Sequence, residues 1–285
     1  MSIAASDIEL DHPEESMNPK NEVSDPHLAQ SLDVLASASP PGASGPVIAV
    51  LTQTNAAVAK WHNETYGTKM TLNDFYYFYY WKNPYWGSLE TTHAKVRDFY
   101  TSMQLFDAAP VPGAREGVQT LRDLGFKLVI VTARGSDIKE DSWKWVEKWF
   151  PGLFDSIICT GQFKDAASDA HAVVTKLSKA QVCADLKARL LIDDSSENAL
   201  QVSTASPPTH VLLFGQYEWN KRFSTHSDAV EAMAYDTRLQ IEGGREFWKY
   251  ERFEDHVPEG APLQRVKDWS EVIRWVKAAQ ASKTI

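Results

Sequence analysis

Three places in this sequence carry side chains that could act together on an anion. Thr132 ends the apolar run LVIVT, Lys179 opens the helical pattern SKAQVC, and Asp193 and Asp194 end the apolar run LLIDD. A hydroxyl and an ammonium are groups that can face an anion. Two carboxylates side by side after a buried strand are costly unless something positive, such as a divalent cation, shares their site. Each feature also has a plainer reading. Asp is a preferred helix cap, so Asp193 and Asp194 could merely start the next helix. Thr is common in strands, and most lysines are solvated. Ser178 and Gln181 have capping-box spacing, which sets Lys179 in a first helical turn. The helix dipole disfavours a cation there, so an anion-facing role gains ground. Arg134, just beyond Thr132 and Ala133, reaches an anion or solvates a loop with equal expectation.

What is missing is as informative as what is present. The stretch GPVIAVLTQTNAAVAKW, residues 45–61, reads as a buried strand, a polar turn and a helix. In an open α/β sheet the carboxyl ends of the strands are where chemistry is placed. This one ends in Leu51, Thr52, Gln53, Thr54 and Asn55, with no carboxylate, thiol or imidazole. Other conspicuous residues favour packing roles. The aromatic run Tyr76–Trp81 could stack a planar ligand but is more readily a small core. His62 and His93 lack metal-ligand spacing. Trp145 and Trp149 share a helix face, and Trp219 and Asn220 follow the last clear strand, where an aromatic turn is the simpler reading.

The elements that position these residues follow from periodicity. A helix opening at Thr54 or Asn55 stops near Gly67. Residues 55–109 show helical spacing without strand alternation. From residue 110 onward, helical patterns alternate with short apolar strands: FKLVIVT, SIICT, RLLID and HVLLF. That alternation predicts an α/β fold, a Rossmann-like three-layer sandwich with a mainly parallel sheet, and a small helical cap inserted after the first strand. The core is expected over 47–54 and 110–285 and the cap over 55–109. The tail RVKDWSEVIRWVKAAQ reads as a packing helix.

Composition narrows the function classes. The chain has 285 residues, 43% of them hydrophobic, with a formal net charge of -9. Residues 1–46 hold eight acidic side chains and one lysine, so the remainder is almost neutral. They also lack Phe, Trp and Tyr, which predicts a disordered acidic leader. A nearly neutral body offers no broad basic face to nucleic acid, and no run approaches membrane-spanning length. With Cys159 and Cys183 alone there is no disulfide framework, and a cytoplasmic location is the expectation. Composition says nothing of the oligomeric state.

Taken in order, strand-Thr, helix-start Lys and strand-Asp-Asp make the stretch from Val47 to Phe214 resemble the haloacid dehalogenase-like hydrolase superfamily. PVPGAREGVQTLRDLGFKLVIVTARG and ARLLIDDSSENAL look like its second and fourth motifs, and the insertion resembles the cap of 5'(3')-deoxyribonucleotidase-like members. The resemblance implies a phosphohydrolase scaffold for a phosphorylated small molecule. It makes Thr132, Ala133, Arg134 and Lys179 phosphate-binding, with Lys176 an alternative lysine, and Asp193 and Asp194 the carboxylates for Mg2+. The family's first motif, an Asp-x-Asp whose first carboxylate attacks phosphorus, is absent here. VIAV passes directly to LTQTN, as though a segment between Val50 and Leu51 were removed. Neither Thr52 nor Gln53 replaces a nucleophile that also ligates a metal, and Asp33, the nearest upstream acid, follows no strand. The expectation is therefore an inactive scaffold with magnesium binding weakened or lost. Its alternatives are a non-catalytic phospho-ligand-binding protein and an incomplete gene model of an active Mg2+-dependent phosphatase.

Overall fold

The residue-by-residue alternation of each strand decides which layer it covers. In the computed structural model, which describes residues 44–48, 51–160 and 178–285, six strands form one all-parallel sheet. They are β1 (Ser44–Ile48), β2 (Phe126–Thr132), β3 (Ser156–Cys159), β4 (Leu190–Asp193), β5 (His210–Phe214) and β6 (Leu263–Val266), in the order β3-β2-β1-β4-β5-β6. Val47 is level with Leu128 and Leu190, and all three face one layer; Ile48 is level with Val129 and Leu191, which face the other. The first face is covered by α3 (Ala114–Asp123), α4 (Lys139–Trp149) and α8 (Trp269–Ala281) through Val118, Trp145 and Val276. The second is covered by α5 (Lys179–Asp185) and α6 (Ser196–Ser203) through Val182, Cys183 and Val202. Both faces are thus buried, which is why these strands read as continuous apolar runs.

Several boundaries differ from the sequence expectation. Ser44–Pro46, read as the end of the leader, belong to β1. The helix after β1, α1 (Thr54–Tyr66), is capped by neither Thr54 nor Asn55: its N-cap is Gln53, whose carbonyl accepts from the Ala56 and Ala57 amides. Gly67 closes it at φ 67°, a left-handed turn that glycine adopts without a Cβ penalty. β6 has only one strongly buried residue, Val266, and gave no readable alternation. The expectations for residues 1–43, for Val50 and for Lys176 fall outside the described residues.

The insertion builds its own core. Val58 and Trp61 of α1 pack with Phe75, Trp86, Leu105 and Phe99, the last from α2 (Leu89–Thr101). A second cluster joins Tyr77 to Phe247 and Trp248, which lie in the long connection between β5 and β6 beside α7 (Tyr235–Ile241). Lys82, nearly fully buried, is held there by Asp228 at 2.9 Å. Tyr76 and Tyr77 of the aromatic run thus pack against this connection, while Phe78, Tyr79, Tyr80 and Trp81 line a cavity. No helix among the described residues is long and apolar enough to cross a membrane.

Candidate functional site

With strand order 3-2-1-4-5-6, connections diverge on either side of β1, and the crevice outside the carboxyl ends of β1 and β4 is the natural ligand position. A cavity of about 530 Å³ opens there. It brings together Thr132, Ala133 and Arg134 after β2, Lys179 at the start of α5, Asp193 and Asp194 at the end of β4, and Thr52 and Gln53 after β1.

Thr132 is the last residue of β2, and its carbonyl accepts from the Thr160 amide at 2.8 Å, so the backbone that presents its hydroxyl is fixed. Its Oγ1 accepts from the Arg134 amide at 3.4 Å. Arg134 gives Nη1 to Ser142 Oγ at 3.1 Å and lies over the Phe106 ring. The groups nearest it electrostatically are the Tyr100 phenol and the Cys159 thiol, and burial lowers the guanidinium from its usual value. Among the described residues no carboxylate forms an ion pair with Arg134, so its charge is turned to the cavity.

The β4 end is arranged differently. Asp193, 1% exposed, accepts from the Ser195 amide at 2.8 Å and from Asn198 Nδ2 at 3.3 Å through Oδ1, while Lys179 Nζ lies 2.5 Å from Oδ2. Neither aspartate is the N-cap of α6: Ser195 fills that place, its hydroxyl accepting from the Asn198 amide. Ser178 caps α5 by accepting from the Gln181 amide, which sets Lys179 in the first turn facing Asp193. Lys179 is thus committed to a carboxylate, whereas Arg134 and Arg97, which also lines the cavity, have no ion pair among the described residues.

Asp194 has no ion-pair partner among the described residues. Its Oδ2 accepts from Trp219 Nε1 at 3.1 Å. Burial first, then the neighbouring Asp193 charge, push its carboxyl up to about 6. Trp219 comes from the turn after β5, where Gly215 has φ 85° and an added Cβ would meet the Tyr217 ring at 2.2 Å. That glycine lets Tyr217 stack on Trp219, ring centroids 4.1 Å apart, beside the carboxylate. Trp219 therefore does rim the crevice, whereas Asn220 is fully buried and binds the Phe214 carbonyl and Arg265. His93 and His226 line the outer cavity, while His62 is buried in the insertion core, where burial lowers it to about 4.

After β1, Leu51 is buried, and the next residues pair with the returning end of the insertion. Val111 N donates to Leu51 O at 2.8 Å, Gln53 N to Ala109 O at 3.1 Å, and Gln53 Nε2 to Pro110 O at 2.8 Å. Thr52 Oγ1 is buried without a hydrogen-bond partner. Among the described residues at the ends of β1 and β4, Asp194 alone has a carboxylate left to hold a magnesium ion, which is bound through one or two carboxylates together with water and substrate phosphate. Both Asp193 oxygens already accept hydrogen bonds, one of them from an ammonium, and β1 supplies no carboxylate at 51–55. Among the described residues no three His, Cys, Asp or Glu side chains converge as a metal centre.

No protein-family model matches this chain, and no curated protein matches it by sequence. Solved structures do. A HAD family hydrolase from Deinococcus radiodurans R1, with bound phosphate and sodium, aligns at 11% identity and TM-score 0.46, over 84% of this chain and 96% of that one. A HAD-superfamily hydrolase of subfamily IA from Geobacter sulfurreducens PCA aligns at 12% identity and TM-score 0.43, over 82% and 99%. A phosphonoacetaldehyde hydrolase-like protein from Oleispira antarctica aligns at 11% identity and TM-score 0.40, over 84% and 94%.

Proposed function

We propose that this chain is a phosphohydrolase-type scaffold that holds a phosphorylated small molecule at the β2 end of the cavity and does not hydrolyse it. The observation that carries the reading is the contrast between two strand ends. At β2, the Thr132 hydroxyl and the Arg134 guanidinium face a cavity with no carboxylate paired to the guanidinium among the described residues. After β1, the segment Leu51–Asn55 contains no carboxylate, and its backbone is bonded to Ala109–Val111. A phosphoryl group can be bound by the first set, because charge-assisted hydrogen bonds from Arg to an oxyanion are strong and directional. Its transfer to the protein needs an activated nucleophile, and among the described residues the Thr52 hydroxyl has no hydrogen-bond partner to serve as base while the Gln53 carboxamide is bonded to the Pro110 carbonyl.

Isothermal calorimetry with inorganic phosphate, together with turnover of an aryl phosphate at millimolar magnesium, tests both halves. The expected result is phosphate binding that falls at least tenfold in Arg134→Met, with no turnover above the buffer rate. Turnover abolished by Asp193→Asn would mean that a substitute nucleophile exists and would overturn the non-catalytic reading. Equal phosphate affinity in the wild type and Arg134→Met would overturn the binding site.

A further inference from the structure

The cavity holds a second uncompensated charge that the phosphate reading leaves unused. Asp194 lines it half-buried, while Lys179 is turned to Asp193 at 2.5 Å. A largely desolvated carboxylate with no ion-pair partner among the described residues, eased only by the neighbouring Lys179 charge, is unfavourable and attracts a cation that can enter. The character of the surroundings selects which cation. Asp194 shares the cavity wall with Tyr80, Tyr217 and Trp219. Trp219 touches it through the indole N–H, and both phenols are pushed up in part by its charge.

These rings are held by partners within the protein. Tyr217 lies parallel to Trp219, with ring planes 6° apart. Tyr80 lies parallel to Trp86 at 4.4 Å and donates its hydroxyl to Asn55 Oδ1 at 3.0 Å. Rigid aromatic rings around a carboxylate are poor ligands for magnesium, which keeps a shell of oxygen donors and sheds water reluctantly. They suit an organic ammonium, whose diffuse charge is stabilised by ring quadrupoles and whose methyl or methylene groups gain from leaving water.

We propose that the Asp194 end of the cavity binds an organic ammonium group, so that its ligand is zwitterionic: an oxyanion at Thr132 and Arg134, an aminoalkyl or quaternary ammonium group at Asp194, Tyr80, Tyr217 and Trp219. This rests on the phosphate reading for the anionic end only; the ammonium end stands on its own geometry. The pairing also suits the two ends of the cavity, since the Arg134 guanidinium and the Asp194 carboxylate each meet an opposite charge carried by the same molecule. Two linked groups raise one another's effective concentration, so the combined ligand should exceed either fragment in affinity.

The experiment uses the full chain and four probes: tetramethylammonium chloride, inorganic phosphate, phosphocholine and magnesium chloride, each followed by tryptophan fluorescence and calorimetry. Tetramethylammonium should bind and change the fluorescence, with affinity at least tenfold weaker in Asp194→Asn and not weakened in Arg134→Met, which removes a like charge from the cavity. Phosphocholine should bind at least tenfold more tightly than either fragment, and magnesium should not compete with tetramethylammonium. If phosphate fails to bind while tetramethylammonium binds in an Asp194-dependent way, the anionic half of the reading falls and the ammonium site stands. Tetramethylammonium binding that is absent, or equal in the wild type and Asp194→Asn, overturns the proposal. So does magnesium that binds through Asp194 and displaces the ammonium. Circular dichroism of Asp194→Asn, which keeps an acceptor for Trp219 Nε1, confirms that a lost signal is not lost folding.

Discussion

Replacing Asp194 with Asn should make the protein more stable at neutral pH, an unusual expectation for a site residue and one whose size can be worked out. The folded protein pushes this carboxyl from 3.8 to about 6 by burial and by the Asp193 charge. Each unit is worth about 1.4 kcal/mol, so the ceiling is about 3 kcal/mol. Residual solvent access and sharing of the charge with the Lys179–Asp193 pair bring the expectation to about 1–2 kcal/mol. The sign follows from linkage. Below the unfolded value both states hold the proton and nothing is lost. Between about 4 and 6 the unfolded chain ionises while the folded one resists, so wild-type stability falls as pH rises through that window, and the full penalty remains above it. Asn cannot ionise, and its amide oxygen still accepts from Trp219 Nε1. His62 acts in the opposite direction: lowered to about 4, it costs stability as pH falls below its usual 6.5. Only the difference between variant and wild type therefore isolates Asp194. Urea unfolding at intervals from pH 4 to 8 should show the variant gaining about 1–2 kcal/mol at pH 7.5 and nothing at pH 4. A variant less stable than wild type at pH 7.5, or a gain independent of pH, would refute the assignment of a desolvated, unpaired carboxylate.

Three further outcomes follow from particular contacts. Lys179→Met should destabilise by about 3–5 kcal/mol in urea unfolding, because Asp193, 1% exposed, loses its counter-charge; adding Asp193→Asn should recover most of the loss, and a non-additive recovery near zero would argue that the pair is not coupled. Gly117→Ala should cost about 1–3 kcal/mol of stability, since its Cβ would lie 2.2 Å from Trp269 where α3 crosses α8; a melting temperature equal to wild type would show that the tryptophan moves without strain. Inserting Asp-x-Asp-x-Val between Val50 and Leu51 should produce magnesium-dependent turnover of phosphomonoesters that requires Thr132 and Asp193, because β1 lies between the strands that end in those residues; a folded insertion variant inactive across a broad panel would count against the phosphohydrolase scaffold.

The parts of this structure legible in the sequence are those dictated by burial on both faces. β2 and β4 announce themselves as LVIVT and LLID because both layers exclude water, and the helices between them show one apolar stripe each. The cap of α5 was equally local, since Ser178 and the Gln181 amide lie within one turn. What sequence could not show depends on distant partners. β6 is too short and too exposed to alternate, and it exists because Leu263–Val266 has β5 to pair with. Asp193 and Asp194 look equivalent in the chain, yet one meets Lys179 and the other meets an indole from residue 219. That division turns on Gly215 and the stacked Tyr217, a signal visible only as a glycine followed by two aromatics after an apolar strand.

The junction after β1 also fixes how the cavity can be used. Three residues, Leu51–Gln53, lie between that junction and α1, and each is bonded or bridged to Ala109–Val111. Both connections of the insertion are therefore zipped together at its base. Along its flank, Lys82 bonds Asp228 and the Tyr77 hydroxyl bonds Glu251, both from the connection between β5 and β6. An insertion tied at two places is restrained from swinging over a ligand, so the proposed binding draws on groups already in place. Preformed sites lose less entropy on binding, and Tyr80, Tyr217, Trp219 and Arg134 are each held by a stacking or hydrogen-bond partner within the protein. A cap that swings is useful to an enzyme that must admit water-free chemistry and then release product. A restrained one is what the proposed non-catalytic binding calls for.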